Sequence, residues 1–167
     1  ALIGFVGAPW TLACYVVEGR SSKHFSTLKQ LAHTNRAFFS LLVDILTESV
    51  SQHAIHQIEA GAEVIQLFDS WAGKANDEEY RDWIITPAKK IVAAIRNTYP
   101  HIPIIGFPRE SGRKYEAYAK ETGVDALSID QTVPLEWIKT HIQPICRVQG
   151  CLNNELLADN KEAALAE

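Results

Sequence analysis

The sequence predicts an α/β protein in which a parallel sheet packs against helices, and two observations carry this prediction. Five short apolar runs rich in Ile, Val and Phe are typical of buried strands, because none alternates cleanly between apolar and polar residues. The runs are residues 2–6, 63–68, 102–107, 126–129 and 145–148. Helical patterns lie between them, and the last three runs begin about 20 residues apart, the length of a short βα unit.

Helices between the strands are predicted from the spacing of apolar residues and from end signals. Residues 36–60 carry apolar side chains at a spacing near that of a helical turn, and Gly61 follows as a C-terminal cap. A second helix is expected to begin near Asp77, whose carboxylate can accept a hydrogen bond from first-turn amides. Because proline removes a backbone donor, we expect Thr86-Pro87 to kink or split this helix.

The remaining helices complete an alternating order. A third helix is predicted from Ser111 to Gly123, a fourth begins at Pro134, and a fifth is expected around Asn160. The order βααβαβαβαβα fits either an open doubly wound sheet or part of a (β/α)8 TIM barrel. A whole barrel needs about 250 residues, so about five parallel strands with outer helices predict a partial barrel, with residues 1–167 as one incomplete domain. The chain lacks Met and begins just before a strand, so we expect an internal piece of a longer protein.

Composition and charge narrow the function classes. Hydrophobic residues make up 47% and charged residues 22% of the chain, as in ordinary globular proteins. The net charge of -4 gives no electrostatic reason to expect nucleic-acid binding. No apolar run reaches the roughly 18 residues of a membrane span, and Cys14, Cys146 and Cys151 form no disulfide framework. We expect no signal peptide, because the first residues lack a basic region and their apolar run is short. We therefore expect a cytoplasmic protein that binds neither nucleic acid nor membranes.

Functional groups are expected at the carboxyl ends of the strands, because both parallel architectures place their sites there. Asp69 and Ser70 directly follow the second strand, and the sequence leaves a site role and a structural role evenly balanced for them. Ser111 and Thr132 also follow strands, but hydroxyl side chains in such places are typical helix caps. Tyr15 lies at helical spacing after the first strand, where the residues alone favour a core aromatic.

Metal and nucleotide motifs are weak or missing. His53 and His56 could share one face of a predicted helix, but no third ligand has suitable spacing, so a surface role is favoured. Cys146 and Cys151 lack the close spacing of a zinc knuckle and have no second pair. Neither of the common glycine-rich phosphate-binding motifs occurs. We therefore predict no metal site and no dinucleotide or nucleoside triphosphate site.

Five segments resemble the uroporphyrinogen decarboxylase family in order and spacing. The specific matches are "LIGFVGAPWTLACYVVEG" and "VIQLFDSWAG", and the looser ones are "TPAKKIVAAI", "GVDALSIDQT" and "VQGCLNN". The resemblance implies a (β/α)8 barrel, a homodimer and a carboxy-lyase without a cofactor. It also implies the family's reaction in haem and porphyrin biosynthesis, in which uroporphyrinogen III loses its four acetate carboxylates to give coproporphyrinogen III.

The resemblance also implies site residues, position by position. Tyr15 matches the family's Tyr in a TYMVEG-like segment, and Ser70 matches its hydroxyl residue after the second strand. Both are expected to bind substrate, orienting a carboxylate or a neighbouring charged group by hydrogen bonding. The family's central Asp, its amino-terminal Arg cluster and its late His have no counterpart in this chain. We therefore expect these 167 residues alone to be inactive.

Several positions depart from the family pattern. Gln131 stands where Trp is usual, while Cys151 and Asn153 interrupt the usual segment after the last strand. Because these positions lie at strand ends, they indicate a reshaped pocket. Arg20 replaces a common Gly, and a surface role is favoured over a contact with a substrate carboxylate.

Two other interpretations stay open at this point. Related barrel methyltransferases use zinc and corrinoid proteins and place a His-x-Cys motif at a strand end. The matching strand here ends in "IIGFPRE", which contains neither residue and weighs against zinc. The other alternative is a structural fragment without activity of its own.

Overall fold

The computed structural model describes residues 1–20, 22 and 24–152, and one five-stranded sheet forms its centre. The strands are β1 (Ile3–Gly7), β2 (Val64–Asp69), β3 (Ile104–Pro108), β4 (Ala126–Ile129) and β5 (Arg147–Gly150). All neighbours pair in parallel, and the strands lie side by side in chain order. A doubly wound sheet would reverse its strand order at a switch point. The unbroken order therefore makes this sheet an arc of a (β/α)8 barrel.

All five predicted strands are confirmed, with ends displaced by at most two residues. The helices within the described ranges are α1 (Pro9–Glu18), α2 (Ser26–Thr34), α3 (Arg36–Glu59), α4 (Asp77–Tyr80), α5 (Thr86–Thr98), α6 (Tyr115–Thr122) and α7 (Leu135–His141). The prediction placed two helices between β1 and β2, but the described residues of this segment form three. The short helix α2 was missed because it is largely polar and buries only Leu28 and Ala32. The helix expected around Asn160 lies outside the described residues.

The segment from α4 to α5 corrects one prediction and confirms another. Asn76, not Asp77, caps α4: its side chain accepts the N–H of Glu79 at 2.9 Å, and the Glu79 carboxylate accepts the N–H of Asn76 at 2.8 Å. One turn of π-helix (Arg81–Ile85) then joins α4 to α5. The helix is therefore split before Pro87 by a wider turn, one of the two outcomes expected there, since proline cannot donate to the carbonyl four residues earlier.

An aromatic cluster on the helix side ties the first two βα units together. The rings of Trp10 and Trp83 stack with centroids 6.1 Å apart, and Phe39 meets Trp83 edge-on at 4.7 Å. All three side chains are buried, and the Arg36 guanidinium covers Trp83 at 4.9 Å from the ring centroid. The cluster fixes α1 against α3 and the π-turn, which positions the start of α1 at the edge of the sheet.

None of the helices in residues 1–20, 22 and 24–152 combines the length and the apolar character needed to cross a membrane.

Candidate functional site

The inner face of the sheet carries a ladder of phenylalanine rings. Phe5, Phe68 and Phe107 come from β1, β2 and β3, and neighbouring rings meet edge to face with centroids 5.8 and 5.7 Å apart. Edge-to-face contact is a favoured arrangement of aromatic rings. Phe5 is 65% exposed, so the ladder forms an apolar wall that faces the open side of the sheet.

A cavity of about 290 Å³ opens beside this wall, at the carboxyl ends of β1 and β2. Apolar side chains and three hydroxyl groups line it: Phe5, Gly7, Thr11, Leu12, Tyr15, Phe68 and Ser70. Tyr15 and Ser70, the two residues expected to bind substrate, thus lie on the same cavity although they belong to different βα units. A mostly apolar lining with a few converging polar groups is typical of small-molecule sites.

Tyr15 reaches the cavity from α1 and does not pack into the core. The same helix buries Trp10 and Cys14 completely, whereas 44% of Tyr15 is exposed. The Tyr15 ring stands edge-on to Trp71 with centroids 6.5 Å apart. No residue in the described part of the chain forms a hydrogen bond with the Tyr15 hydroxyl. The interpretation of Tyr15 as a core aromatic, based on the residues alone, is therefore wrong.

Ser70 follows β2 directly, on a turn that is fixed from both sides. The Thr11 hydroxyl donates to Asp69 Oδ1 at 2.6 Å and accepts the N–H of Trp71 at 3.2 Å. The indole N–H of Trp10 donates to the Trp71 carbonyl at 3.0 Å. These bonds join the start of α1 to the residues before and after Ser70, so the Ser70 side chain projects from a rigid turn.

Asp69 supports this turn from beneath the cavity. Its side chain is 1% exposed, and burial raises the pKa of Asp69 from 3.8 to about 7, opposed by the hydrogen bond from Thr11. No cationic side chain among the described residues forms an ion pair with it. The sequence left a site role and a structural role balanced for this residue, and the structure buries it away from the cavity lining.

A second carboxylate, Asp130, organises the ends of β3 and β4. Its Oδ2 accepts the N–H of Glu110 at 2.5 Å and the Tyr115 hydroxyl at 3.1 Å, and its Oδ1 accepts the N–H of Thr132 at 3.0 Å. Partial burial alone would raise the pKa of Asp130. The hydrogen bonds outweigh burial and hold the pKa below its ordinary value.

Ser111 and Thr132 do not cap the helices that follow them, so that prediction is wrong. Ser111 is buried, and its Oγ accepts the Tyr80 hydroxyl at 2.9 Å. Thr132 donates its hydroxyl to Asp130 Oδ1 at 2.5 Å. The Ser111 hydroxyl thus has a tertiary partner, while the Thr132 hydroxyl bonds to a carboxylate two residues earlier in the chain.

The weaker candidates for metal or substrate binding do not line the cavity. His53 and His56 are exposed on α3, and His53 Nε2 lies 2.9 Å from Gln57 Nε2. Within the described ranges, no group of three His, Cys, Asp or Glu side chains could hold a metal ion. Arg20 is exposed beyond α1.

The departures from the family pattern lie at two strand ends. Gln131 and Cys151 follow β4 and β5, while Asn153 lies outside the described residues. Cys151 adopts a left-handed backbone with φ of 68°, and its N–H donates to the Ile129 carbonyl at 2.6 Å. The changes therefore fall on the edge of the sheet where the cavity opens.

Consecutive parallel βα units with a ligand-sized cavity at their carboxyl ends define this chain as part of a βα-barrel protein. The sequence model of the uroporphyrinogen decarboxylase family matches residues 1–167, and the chain belongs to that family.

Curated relatives agree with this assignment. The chain is 44% identical to the uroporphyrinogen decarboxylase of Rhodospirillum rubrum over 95% of its own length and 46% of the relative's. It is 46% identical to the protein of that name from Wolbachia sp. subsp. Brugia malayi, over 100% of this chain and 47% of the relative. It is 41% identical to the uroporphyrinogen decarboxylase of Paracoccus denitrificans, over 99% of this chain and 48% of the relative. The chain thus spans about half the length of the curated relatives it matches.

Proposed function

We propose that this chain is part of a uroporphyrinogen decarboxylase, which removes the four acetate carboxylates of uroporphyrinogen III to give coproporphyrinogen III. The observation that carries the proposal is the convergence of Tyr15 and Ser70 on one cavity walled by Phe5 and Phe68. Relatives of that name, between 41% and 46% identical over nearly the whole chain, support it. The family resemblance adds a homodimer as the proposed assembly of the whole protein.

The reaction needs a place for the electrons that carbon dioxide leaves behind. Protonation of a pyrrole ring carbon makes the ring cationic, and the electron pair of the breaking C–C bond then flows into the ring as carbon dioxide departs. A second proton adds to the resulting exocyclic methylene group to form the methyl group, and the ring carbon loses the first proton. Each acetate therefore consumes one proton and releases one carbon dioxide. The protein must hold the acetate and stabilise the cationic ring.

The side chains that line the cavity are suited to holding the acetate group and the pyrrole ring that carries it. The apolar wall of Phe5 and Phe68 can cover a face of a pyrrole ring, because aromatic and apolar surfaces pack without needing polar partners. The hydroxyls of Tyr15 and Ser70 can each donate a hydrogen bond to a carboxylate oxygen. A carboxylate held by hydroxyls beside an apolar wall is poorly hydrated, and loss of its charge as carbon dioxide becomes more favourable there.

The test is turnover by the full-length protein. Uroporphyrinogen III is supplied under anaerobic conditions, and the products are oxidised and separated by the number of carboxylates. We expect stepwise conversion from eight carboxylates to four. Tyr15→Phe and Ser70→Ala should each lower kcat/KM by about tenfold or more, since each removes a hydrogen bond to a charged group.

Matched substitutions away from the cavity serve as controls. Tyr99→Phe removes the same hydroxyl from a half-buried ring outside the cavity, and Ser49→Ala removes one from an exposed position. Both should leave turnover within about twofold. A folded full-length protein that forms no product would refute the proposed reaction. Losses in Tyr15→Phe and Ser70→Ala no larger than in the controls would refute the site. The 167-residue chain alone is expected to form no coproporphyrinogen.

A further inference from the structure

Two cations share a single carboxylate at the ends of β2 and β3. Arg109 Nη2 lies 3.1 Å from Glu110 Oε1, and Lys74 Nζ lies 3.3 Å from Glu110 Oε2. The three side chains are between 36% and 47% exposed, so solvent weakens both ion pairs. The cluster brings two positive charges to one carboxylate on a chain whose net charge is -4.

Arg109 lies at the same edge of the sheet as the cavity. It is the first residue after β3, which ends at Pro108, and it follows Phe107 of the phenylalanine wall by two residues. Its N–H donates to the Asp69 carbonyl at 3.0 Å, and its carbonyl accepts the N–H of Gly73 at 2.9 Å. Arg109 is therefore locked beside the turn that carries Ser70, one strand further along the edge.

The next residue, Glu110, has an unusual backbone. Its φ is 60°, in the left-handed region that non-glycine residues avoid. The N–H of Glu110 donates to Asp130, and a Cβ built on Gly73 would lie 2.5 Å from the Glu110 carbonyl oxygen. Backbone strain of this kind persists only where surrounding contacts determine it, and it is concentrated at functional sites. The turn thus holds the Glu110 carboxylate between the two cations.

We propose that Arg109 is a specificity-determining residue whose guanidinium pairs with a carboxylate of the bound tetrapyrrole. This inference rests on the proposed function. In the free protein the Arg109 guanidinium pairs with the Glu110 carboxylate. When substrate binds, its carboxylate replaces Glu110 at Arg109, and Glu110 keeps its ion pair with Lys74. The exchange costs little because the Arg109–Glu110 pair is exposed, whereas a planar guanidinium can hold a substrate carboxylate with two parallel hydrogen bonds. Arg109 would thereby favour porphyrinogens that still carry many carboxylates.

The test compares substitutions in the full-length protein, with uroporphyrinogen III as substrate. Arg109→Gln should raise KM about tenfold while kcat stays within about twofold, because the contact binds substrate and transition state alike. Arg109→Lys should recover part of the loss, since it keeps the charge but not the bidentate geometry. Glu110→Gln removes the competing carboxylate and should lower KM. Arg113→Gln removes the same charge from an exposed position in the same loop, and it should leave KM unchanged.

The outcomes separate this inference from the function on which it rests. If the unsubstituted protein does not convert uroporphyrinogen, the proposed function fails and the inference falls with it. If the unsubstituted protein is active and Arg109→Gln behaves like Arg113→Gln, only the inference is overturned. A fall in kcat with unchanged KM in Arg109→Gln also overturns it. A raised KM confined to the Arg109 substitutions supports it.

Discussion

Replacing Asp69 with asparagine should remove a distinct pH dependence from the stability of this protein. The carboxyl group is 1% exposed, and burial raises its pKa to about 7. The folded chain therefore binds the Asp69 proton more tightly than the unfolded chain does. This stabilisation is complete below the unfolded pKa of 3.8 and is lost as the pH rises through about 7. Asparagine keeps an oxygen that accepts from Thr11 but does not ionise.

The magnitude follows from the difference between the two pKa values. One pKa unit corresponds to about 1.4 kcal/mol, so the interval from 3.8 to about 7 corresponds to at most about 4 kcal/mol. The part of that interval above pH 5 corresponds to about 3 kcal/mol. The free energy of unfolding of Asp69→Asn, relative to the unsubstituted protein, should therefore increase by about 3 kcal/mol between pH 5 and pH 8.

Urea unfolding followed by tryptophan fluorescence at several pH values between 5 and 8 measures this difference. Subtracting the two proteins at each pH cancels the titration of all groups they share. A difference that stays constant across this range would show that Asp69 has an ordinary pKa and would refute the argument. Thr11→Val serves as a second probe, because it removes the hydrogen-bond donor to the ionised carboxylate. In this variant the loss of stability with rising pH should extend to higher pH. Thr11→Ser keeps the hydroxyl and should not shift it.

Two further stability predictions concern close contacts and capping. A Cβ on Gly106 would lie 2.6 Å from Tyr118 Cε1, and that ring is buried, so Gly106→Ala should cost about 1–3 kcal/mol in urea unfolding. A cost near zero would show that the ring can move aside. Asn76→Ala removes the cap of α4 and should cost about 1 kcal/mol, whereas Asn76→Asp should retain stability. Equal losses in the two Asn76 variants would contradict the capping role.

The strands could be predicted closely because a buried parallel strand is a short, continuous run of apolar residues in the sequence. Residues 126–129 form β4 as expected. The choice between a doubly wound sheet and a barrel could not be made, since both arise from the same alternation of strands and helices. It depends on which strands are neighbours, and the pairing of β1 with β2 joins segments about 60 residues apart along the chain.

The site was only partly predictable. The residues alone favoured a buried Tyr15, because a helical aromatic usually faces the core, while the family resemblance pointed to a substrate-binding role. The bond between Thr11 and Asp69 joins two βα units and has no local signal in the sequence. The left-handed turn at Glu110 lacks the usual glycine or asparagine, because its stability comes from Asp130 across the sheet.

Two aspartates at the same edge of the sheet hold their protons differently, and this difference bears on how the site could accept an anionic substrate. Asp69, buried with one hydroxyl donor in the described part of the chain, has a pKa of about 7 and is partly protonated at neutral pH. Asp130, with donors from three residues, has a lowered pKa and stays ionised. Beneath Ser70 the negative charge is thus reduced, which limits repulsion of a carboxylate in the cavity.

The ionised Asp130 instead holds the turn that places Glu110 beside Arg109 and Lys74. In the full-length protein, Asp69→Asn should consequently leave KM for the proposed substrate unchanged at pH 6 and lower it at pH 8.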